Sequence, residues 1–188
     1  EMILEHFTMK DSFGRNIDYM RISITDRCNL RCKYCMPDGV ENLARSEILS
    51  LEEIEAIAIC AAGLGISRIK VTGGEPLVRR DCCRLVKLLK SIPGIEKVTI
   101  TANGVLLDRY LEPLLEAGID GINISLDTLD PCMYERITGF DRLACVMKTI
   151  EQSPGLPVRI KINAVSIDFS SMGGEGCNGA GGSWWKEL

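Results

Sequence analysis

The stretch SRIKVTGGEPLVRRDCCRLVKLLKSIPGIEKVTITANGVLLDRYLEPLLEAGIDGINIS, residues 67–125, decides the fold. Residues 67–72 read as a strand that ends in Gly73–Gly74, and residues 81–89 as a helix closed by a Pro93–Gly94 turn. A second strand, 96–101, ends at Asn103–Gly104. A helix over 106–117 then stops at Gly118, and a third strand covers 121–125. Strand and helix signals that alternate in this way predict repeated βα units and a parallel sheet.

Working outward, residues 19–24 (YMRISI) form one more strand, followed by a loop over 25–38. Residues 50–64 form a helix, opened by a capping box of Ser50 with Glu53, with Leu51, Ile54, Ile57 and Ala58 on one face. Beyond the decisive stretch, residues 131–151 are helical with a break near Gly139, and 158–165 (VRIKINAV) is a fifth strand. Right-handed crossovers place the helices on one side of such a sheet, which predicts an α/β fold: a partial parallel (β/α) barrel of about five strands, over residues 1–165. An open doubly wound sheet is the alternative, although no G-x-G-x-x-G follows any strand. From Ser166 the alternation stops. Residues 173–182 hold six glycines, Trp184–Trp185 follow, and 166–188 read as a flexible, disordered tail.

The conspicuous residues fall at the C-terminal ends of the strands. Cys28, Cys32 and Cys35 follow the first, Gly73 to Pro76 the second, Thr101, Asn103 and Gly104 the third, and Ser125 and Asp127 the fourth. Lys161 and Asn163 lie on the fifth. In a parallel βα array these ends share one rim, which is where active sites are built.

Composition narrows the class. The 188 residues are enough for one domain with a real core, and 46% hydrophobic with 26% charged residues is ordinary for a soluble protein. A net charge of −4 argues against a broad nucleic-acid-binding face. No apolar run approaches a bilayer span, and the N-terminal residues lack the build of a signal peptide, so a cytoplasmic location with no membrane association is expected. The sole histidine, His6, lies far from any motif and reads as a surface residue.

Nine cysteines include a tight trio, Cys28-x3-Cys32-x2-Cys35; the scattered ones read as core or surface thiols. Thiolates select iron–sulfur clusters or zinc. A structural zinc site needs four protein ligands, and the next cysteine, Cys60, sits inside a predicted helix. Three thiolates would leave one iron of a four-iron cluster open to a substrate or cofactor. Zinc, or a ferredoxin-like cluster completed by a distant cysteine, stays the competing reading.

The trio resembles the cluster motif of the radical S-adenosylmethionine (SAM) superfamily, with Cys28, Cys32 and Cys35 at its ligand positions. That resemblance implies a [4Fe–4S] cluster whose open iron holds SAM, and cleavage of SAM to a 5′-deoxyadenosyl radical by one electron from an external donor. It places Tyr34, Gly74 in the Gly73–Gly74–Glu75–Pro76 turn, and Ser125 against SAM. The surrounding residues, from about Asp11 to Val165, resemble the GTP 3′,8-cyclase family of molybdenum cofactor biosynthesis. They include residues 19–32 (YMRISITDRCNLRC), 71–77 (VTGGEPL), 124–129 (ISLDTL) and 161–165 (KINAV). This second resemblance implies GTP as substrate, contacts to it from Arg21, Lys70, Thr101 and Lys161, and attack of a ribose C3′ radical on C8 of guanine. Cations on the rim suit a ligand with about four negative charges. For Arg79 and Arg80 two readings stay open, further contacts to GTP or surface residues at a helix start.

The resemblance also has a limit. That family carries a second cluster, on three more cysteines in its C-terminal part, and a terminal Gly-Gly. Here Cys177 is the one cysteine after residue 145. The expectation is a shortened form that binds the first cluster without completing the GTP reaction. Oligomeric state is open, a homodimer included.

Overall fold

The computed structural model describes residues 9–35 and 43–165. His6 and the glycine-rich tail from residue 166 lie outside the described residues. Five strands, β1 (Tyr19–Ser23), β2 (Arg68–Thr72), β3 (Lys97–Ala102), β4 (Gly121–Ser125) and β5 (Arg159–Asn163), pair in chain order, all parallel. The helices between them are α1 (Leu51–Gly63), α2 (Cys82–Ser91), α3 (Leu107–Glu116), α4 (Pro131–Thr138) and α5 (Leu143–Glu151). A sheet built in chain order has no switch point, so the doubly wound alternative fails. Each right-handed crossover then lays its helix on the same face, as in a (β/α) barrel, here a partial one.

Strand periodicity divides the sheet into two unlike faces. Ile22, Ile69, Val71, Val98, Ile100, Ile122 and Ile124 point to the helices and are buried in the main core. They meet apolar positions of the helices, among them Ile54 and Ala58 of α1, Leu85, Val86 and Leu89 of α2, and Leu107 and Leu114 of α3. Burying one such side chain contributes about 1.5–3 kcal/mol. The other face carries Tyr19, Arg21 and Ser23 of β1; Arg68, Lys70 and Thr72 of β2; Lys97, Thr99 and Thr101 of β3; Gly121, Asn123 and Ser125 of β4; and Arg159, Lys161 and Asn163 of β5. No position on it is aliphatic.

Register sorts this inner face into rungs. Arg21, Lys70, Thr99, Gly121 and Arg159 are successive partners across the sheet. One step toward the C-terminal rim, Ser23 pairs with Thr72, Thr101 with Asn123, and Asn123 in turn with Lys161. Ser125 and Asn163 top the sheet.

Local chemistry explains the ends of the elements. Ser50 Oγ accepts from Glu53 N, and Glu53 Oε2 accepts from Ser50 N, so the capping box over α1 is formed. Ile57, expected on the buried face of α1, is exposed; Leu51, Ile54, Ala58 and Ala61 make that face. At about 100° per residue Ile57 falls beyond its edge. Gly139, at φ 79°, ends α4 and separates it from α5. Arg79 is not a surface residue: its side chain is 14% exposed. Its Nη1 donates to Ile24 O and Leu49 O, both at 2.9 Å, and its Nε to Asp81 Oδ1 at 2.8 Å. It staples the end of β1 to the entry of α1 and the start of α2.

Candidate active site at the C-terminal rim

The loop that carries the three cysteines is fixed by backbone bonds on both sides. Gly74 N donates to Thr25 O at 2.7 Å and Glu75 N to Arg27 O at 2.8 Å, which ties the loop to the turn after β2. Arg31 N donates to Thr138 O at 2.8 Å and Lys33 N to Ile137 O at 3.0 Å, which ties its other half to the last turn of α4. Between these anchors, Leu30 is buried and Arg31 Nη1 donates to the carbonyls of Cys28 and Leu30.

The double glycine answers to this contact. A Cβ on Gly73 would lie 2.6 Å from Thr25 O, and one on Gly74 would lie 2.4 Å from Arg27 O. Both obstacles are backbone, so any side chain here displaces the cysteine loop. The glycines thus make room for the loop's own main chain.

Glu75, 1% exposed, joins this turn to the end of β3. Its Oε1 accepts from Leu77 N at 3.1 Å and its Oε2 from Asn103 N at 2.6 Å. Burial pushes the carboxyl up to about 7, against the lowering effect of those two N–H groups. Asn103 continues the chain of contacts: its Nδ2 donates to Asn29 Oδ1 at 2.7 Å and to Cys28 Sγ at 3.8 Å. Leu30 N also points at Cys28 Sγ, at 3.4 Å.

Cys28, Cys32 and Cys35 are free thiols. Burial, then the nearby Cys28 and Cys35, push Cys32 up to about 11; burial also raises Cys28. A cationic metal core relieves the repulsion that Cys32 meets from its two neighbours. Among the described residues no group of three His, Cys, Asp or Glu side chains is placed to hold a single metal ion. Soft donors on one short loop, with N–H groups aimed at the Cys28 sulfur, fit a multi-iron cluster.

Tyr34 donates from its hydroxyl to Asp127 Oδ2 at 2.6 Å. Burial and that bond raise its pKa. Asp127 Oδ1 accepts from Val165 N at 2.9 Å, so one carboxylate past β4 holds both the cysteine loop and the chain after β5. A small cavity of about 40 Å³ is lined by Cys32, Tyr34, Asn103, Ser125, Asp127 and Tyr134, among others.

Below the rim, a cleft of about 230 Å³ opens on the inner face, lined by Lys70, Lys161, Arg68, Lys97 and Arg159 and also by Asp120, which pairs with Lys90. Arg21 lies beside Lys70 in the next strand, and Thr101 is one partner away from Lys161. Arg21, Arg68, Lys70, Lys97, Arg159 and Lys161 all belong to this face, and no strand position on it is Asp or Glu. Arg68 is paired with Asp18 at its edge.

The residues singled out from the sequence thus fall into two groups. Cys32, Tyr34 and Ser125 share the small cavity, with Cys28 and Cys35 on the same loop. Arg21, Lys70, Thr101 and Lys161 share the inner face. Gly74 packs under the cysteine loop. Sequence reasoning left out the parts played by Glu75, Asn103, Asp127 and Tyr134. The first three stand at strand ends, which is the signal that could have found them; Tyr134 lies within a helix and gives none.

A family model described as the radical SAM superfamily matches residues 22–168. The chain is 44% identical over 167 residues to a GTP 3′,8-cyclase of Alkaliphilus oremlandii, covering 88% of this chain and 51% of that one. It is 49% identical over 158 residues to a GTP 3′,8-cyclase of Moorella thermoacetica, covering 82% and 49%. The chain spans about half the length of these relatives. Among solved structures, Streptococcus suis SuiB bound to S-adenosylmethionine superposes with a TM-score of 0.68 at 23% identity, over 82% of this chain and 36% of that one. Methylornithine synthase superposes with a TM-score of 0.61 at 16% identity, over 78% and 44%. These superpositions speak to the fold.

Proposed function

Because the chain belongs to the radical SAM superfamily, we propose that Cys28, Cys32 and Cys35 hold a [4Fe–4S] cluster, that SAM occupies the iron they leave open, and that the substrate is GTP. When bound, the cluster supplies the electron that cleaves SAM to a 5′-deoxyadenosyl radical. The rest is positioning by this chain's own residues. Tyr34, steadied by Asp127, and Ser125 wall the cofactor's side of the rim, and Gly74 keeps the turn beneath the loop close. Arg21, Lys70, Thr101 and Lys161 hold the nucleotide on the inner face.

The observation that carries the reading is the charge of that face. It gathers cations, with Asp120 as the carboxylate among the residues lining the cleft and already paired with Lys90, although the chain as a whole has a net charge of −4. Such a face, in a concave site, attracts a polyanion. From Lys70 to Gly74 is four residues of extended chain, roughly 13 Å at the strand rise. A triphosphate held at Lys70 therefore leaves the ribose between it and the cysteine loop. The activity named for the relatives, GTP 3′,8-cyclase, makes (8S)-3′,8-cyclo-7,8-dihydroguanosine 5′-triphosphate for the molybdenum cofactor. On that kinship we assign to this chain the part of the activity built on the first cluster, SAM cleavage beside bound GTP, with an external electron donor and a cytoplasmic setting. Among the described residues no helix is long and apolar enough to cross a membrane.

The test is anaerobic reconstitution with iron and sulfide, followed by SAM, dithionite and GTP. We expect about four irons and four sulfides per chain, formation of 5′-deoxyadenosine, and loss of both in Cys32→Ala. Uptake of zinc in place of iron, or a loaded cluster that leaves SAM intact, refutes the cofactor reading. GTP binding unaffected by Lys70→Ala with Lys161→Ala refutes the substrate reading.

A further inference from the structure

Tyr134 lies inside α4, is 3% exposed, and its hydroxyl is buried with no hydrogen-bond partner among the described residues. A buried hydroxyl left in this state is destabilising relative to a satisfied one. Phenylalanine would fill the same space without that cost, so the oxygen needs a use that the metal-free chain does not show.

Its position indicates one. The carbonyls of Ile137 and Thr138, one turn further along α4, accept from Lys33 N and Arg31 N, the residues on either side of Cys32. Thr138 Oγ1 in turn donates to Tyr134 O. The helix turn that carries Tyr134 is thereby locked in register with Cys32, and both side chains line the same small cavity. Several other acceptors around that cavity are engaged. Asp127 receives Tyr34 and Val165 N, Asn103 Oδ1 receives Val105 N, and Thr128 Oγ1 receives Asp130 N. A protonated thiol is a weak acceptor, whereas a thiolate that ligates iron is charged and strong.

We propose that Tyr134 is a positioning residue whose hydroxyl donates a hydrogen bond to the Cys32 sulfur once that sulfur ligates the cluster. The inference rests on the cluster reading above. Hydrogen bonds to cluster sulfurs stabilise the more negative, reduced state and so raise the reduction potential. Tyr134 thus makes the cluster easier to reduce. It acts on Cys32, while Asn103 and Leu30 act on Cys28.

The experiment compares wild type with Tyr134→Phe. Both are reconstituted anaerobically without SAM and titrated redox-potentiometrically, with the reduced cluster followed by electron paramagnetic resonance. The metal-free forms are melted in parallel. We expect a lower midpoint potential in Tyr134→Phe, and a metal-free melting temperature equal to or above that of wild type, since no bond is lost there. Equal potentials overturn the proposal, as does a metal-free Tyr134→Phe that melts lower, because the hydroxyl then has a structural partner. If wild type takes up no iron and sulfide, the cluster reading itself fails. A loaded pair with matching potentials removes only the role of Tyr134.

Discussion

Replacing Gly74 with alanine tests the cysteine loop without touching a thiol. The new methyl would sit 2.4 Å from Arg27 O, with Arg27 C and Asp26 O each at 2.7 Å. Ordinary contact begins near 3.4 Å, so the loop's main chain must retreat by about 1 Å, the difference between 3.4 and 2.4. Overpacking of this kind costs about 1–3 kcal/mol. The bonds from Gly74 N to Thr25 O and from Glu75 N to Arg27 O cross the same contact, and stretching them forfeits about 0.5–1.5 kcal/mol each. The sum, roughly 2–6 kcal/mol, lowers the melting temperature of a chain this size by on the order of 10 °C. Gly63 is the control: nothing lies within 4 Å of a Cβ built there. Gly63→Ala should hold the wild-type melting temperature or exceed it slightly, in keeping with alanine's gain of about 0.5–1 kcal/mol in a helix. Calorimetry of the metal-free proteins, then iron content after anaerobic reconstitution, should separate the two, with Gly74→Ala deficient in both. If Gly74→Ala melts with wild type and loads iron fully, the packing account of the double glycine is wrong.

Three other outcomes follow from single residues. Glu75 has its carboxyl raised from 4.5 to about 7, so the folded state keeps a proton that the unfolded chain has released. Its contribution is complete below about pH 4.5 and is lost as pH rises through about 7. Wild type should therefore lose stability relative to Glu75→Gln across that window, and a difference in melting temperature that stays constant with pH counts against it. Lys70→Ala and Lys161→Ala should each weaken GTP binding by about 1.5–3 kcal/mol, the scale of a charge-assisted bond, in calorimetric titration; the same loss for guanosine would show that phosphate is not what they hold. Arg79→Ala removes donors to Ile24 O and Leu49 O and should destabilise by about 2–4 kcal/mol, while Arg80→Ala should stay within about 0.5 kcal/mol in urea unfolding.

Periodicity made the fold legible. β4 spans the residues read from the sequence, Gly121–Ser125, and the other strands differ by a residue or two at their ends. Where the reading slipped, the cause lies in tertiary contact. Ile57 has the right spacing for the face of α1, but the sheet is covered by a narrower arc that ends at Ala61. Arg79 looks like any arginine before a helix; its burial depends on Ile24 O and Leu49 O, both distant in sequence. The site divides the same way. Short spacing displays the three cysteines and the double glycine, and strand alternation puts Arg21, Lys70, Thr101 and Lys161 on a single face. Tyr134 stayed hidden because nothing within one turn of it distinguishes an idle hydroxyl from a satisfied one.

The identity of residue 75 shows how closely the rim is bound together. Two loops meet there, and each presents an inward backbone N–H, from Leu77 and from Asn103. An aliphatic residue would leave both unsatisfied, at about 1–3 kcal/mol apiece. Glutamine offers one acceptor oxygen and turns a donor toward the other N–H. A carboxylate has an acceptor for each, which explains a charged residue type in so dry a place despite the burial that raises its pKa. The strand end it fixes reaches in two directions. Thr101 lies on the inner face of the sheet, above the cationic cleft, and two residues on, about 7 Å along the strand, Asn103 reaches the Cys28 sulfur. A nucleotide that orders Thr101 would therefore press on the same strand end that sets the hydrogen bond to a cluster ligand, with Glu75 as the shared fulcrum.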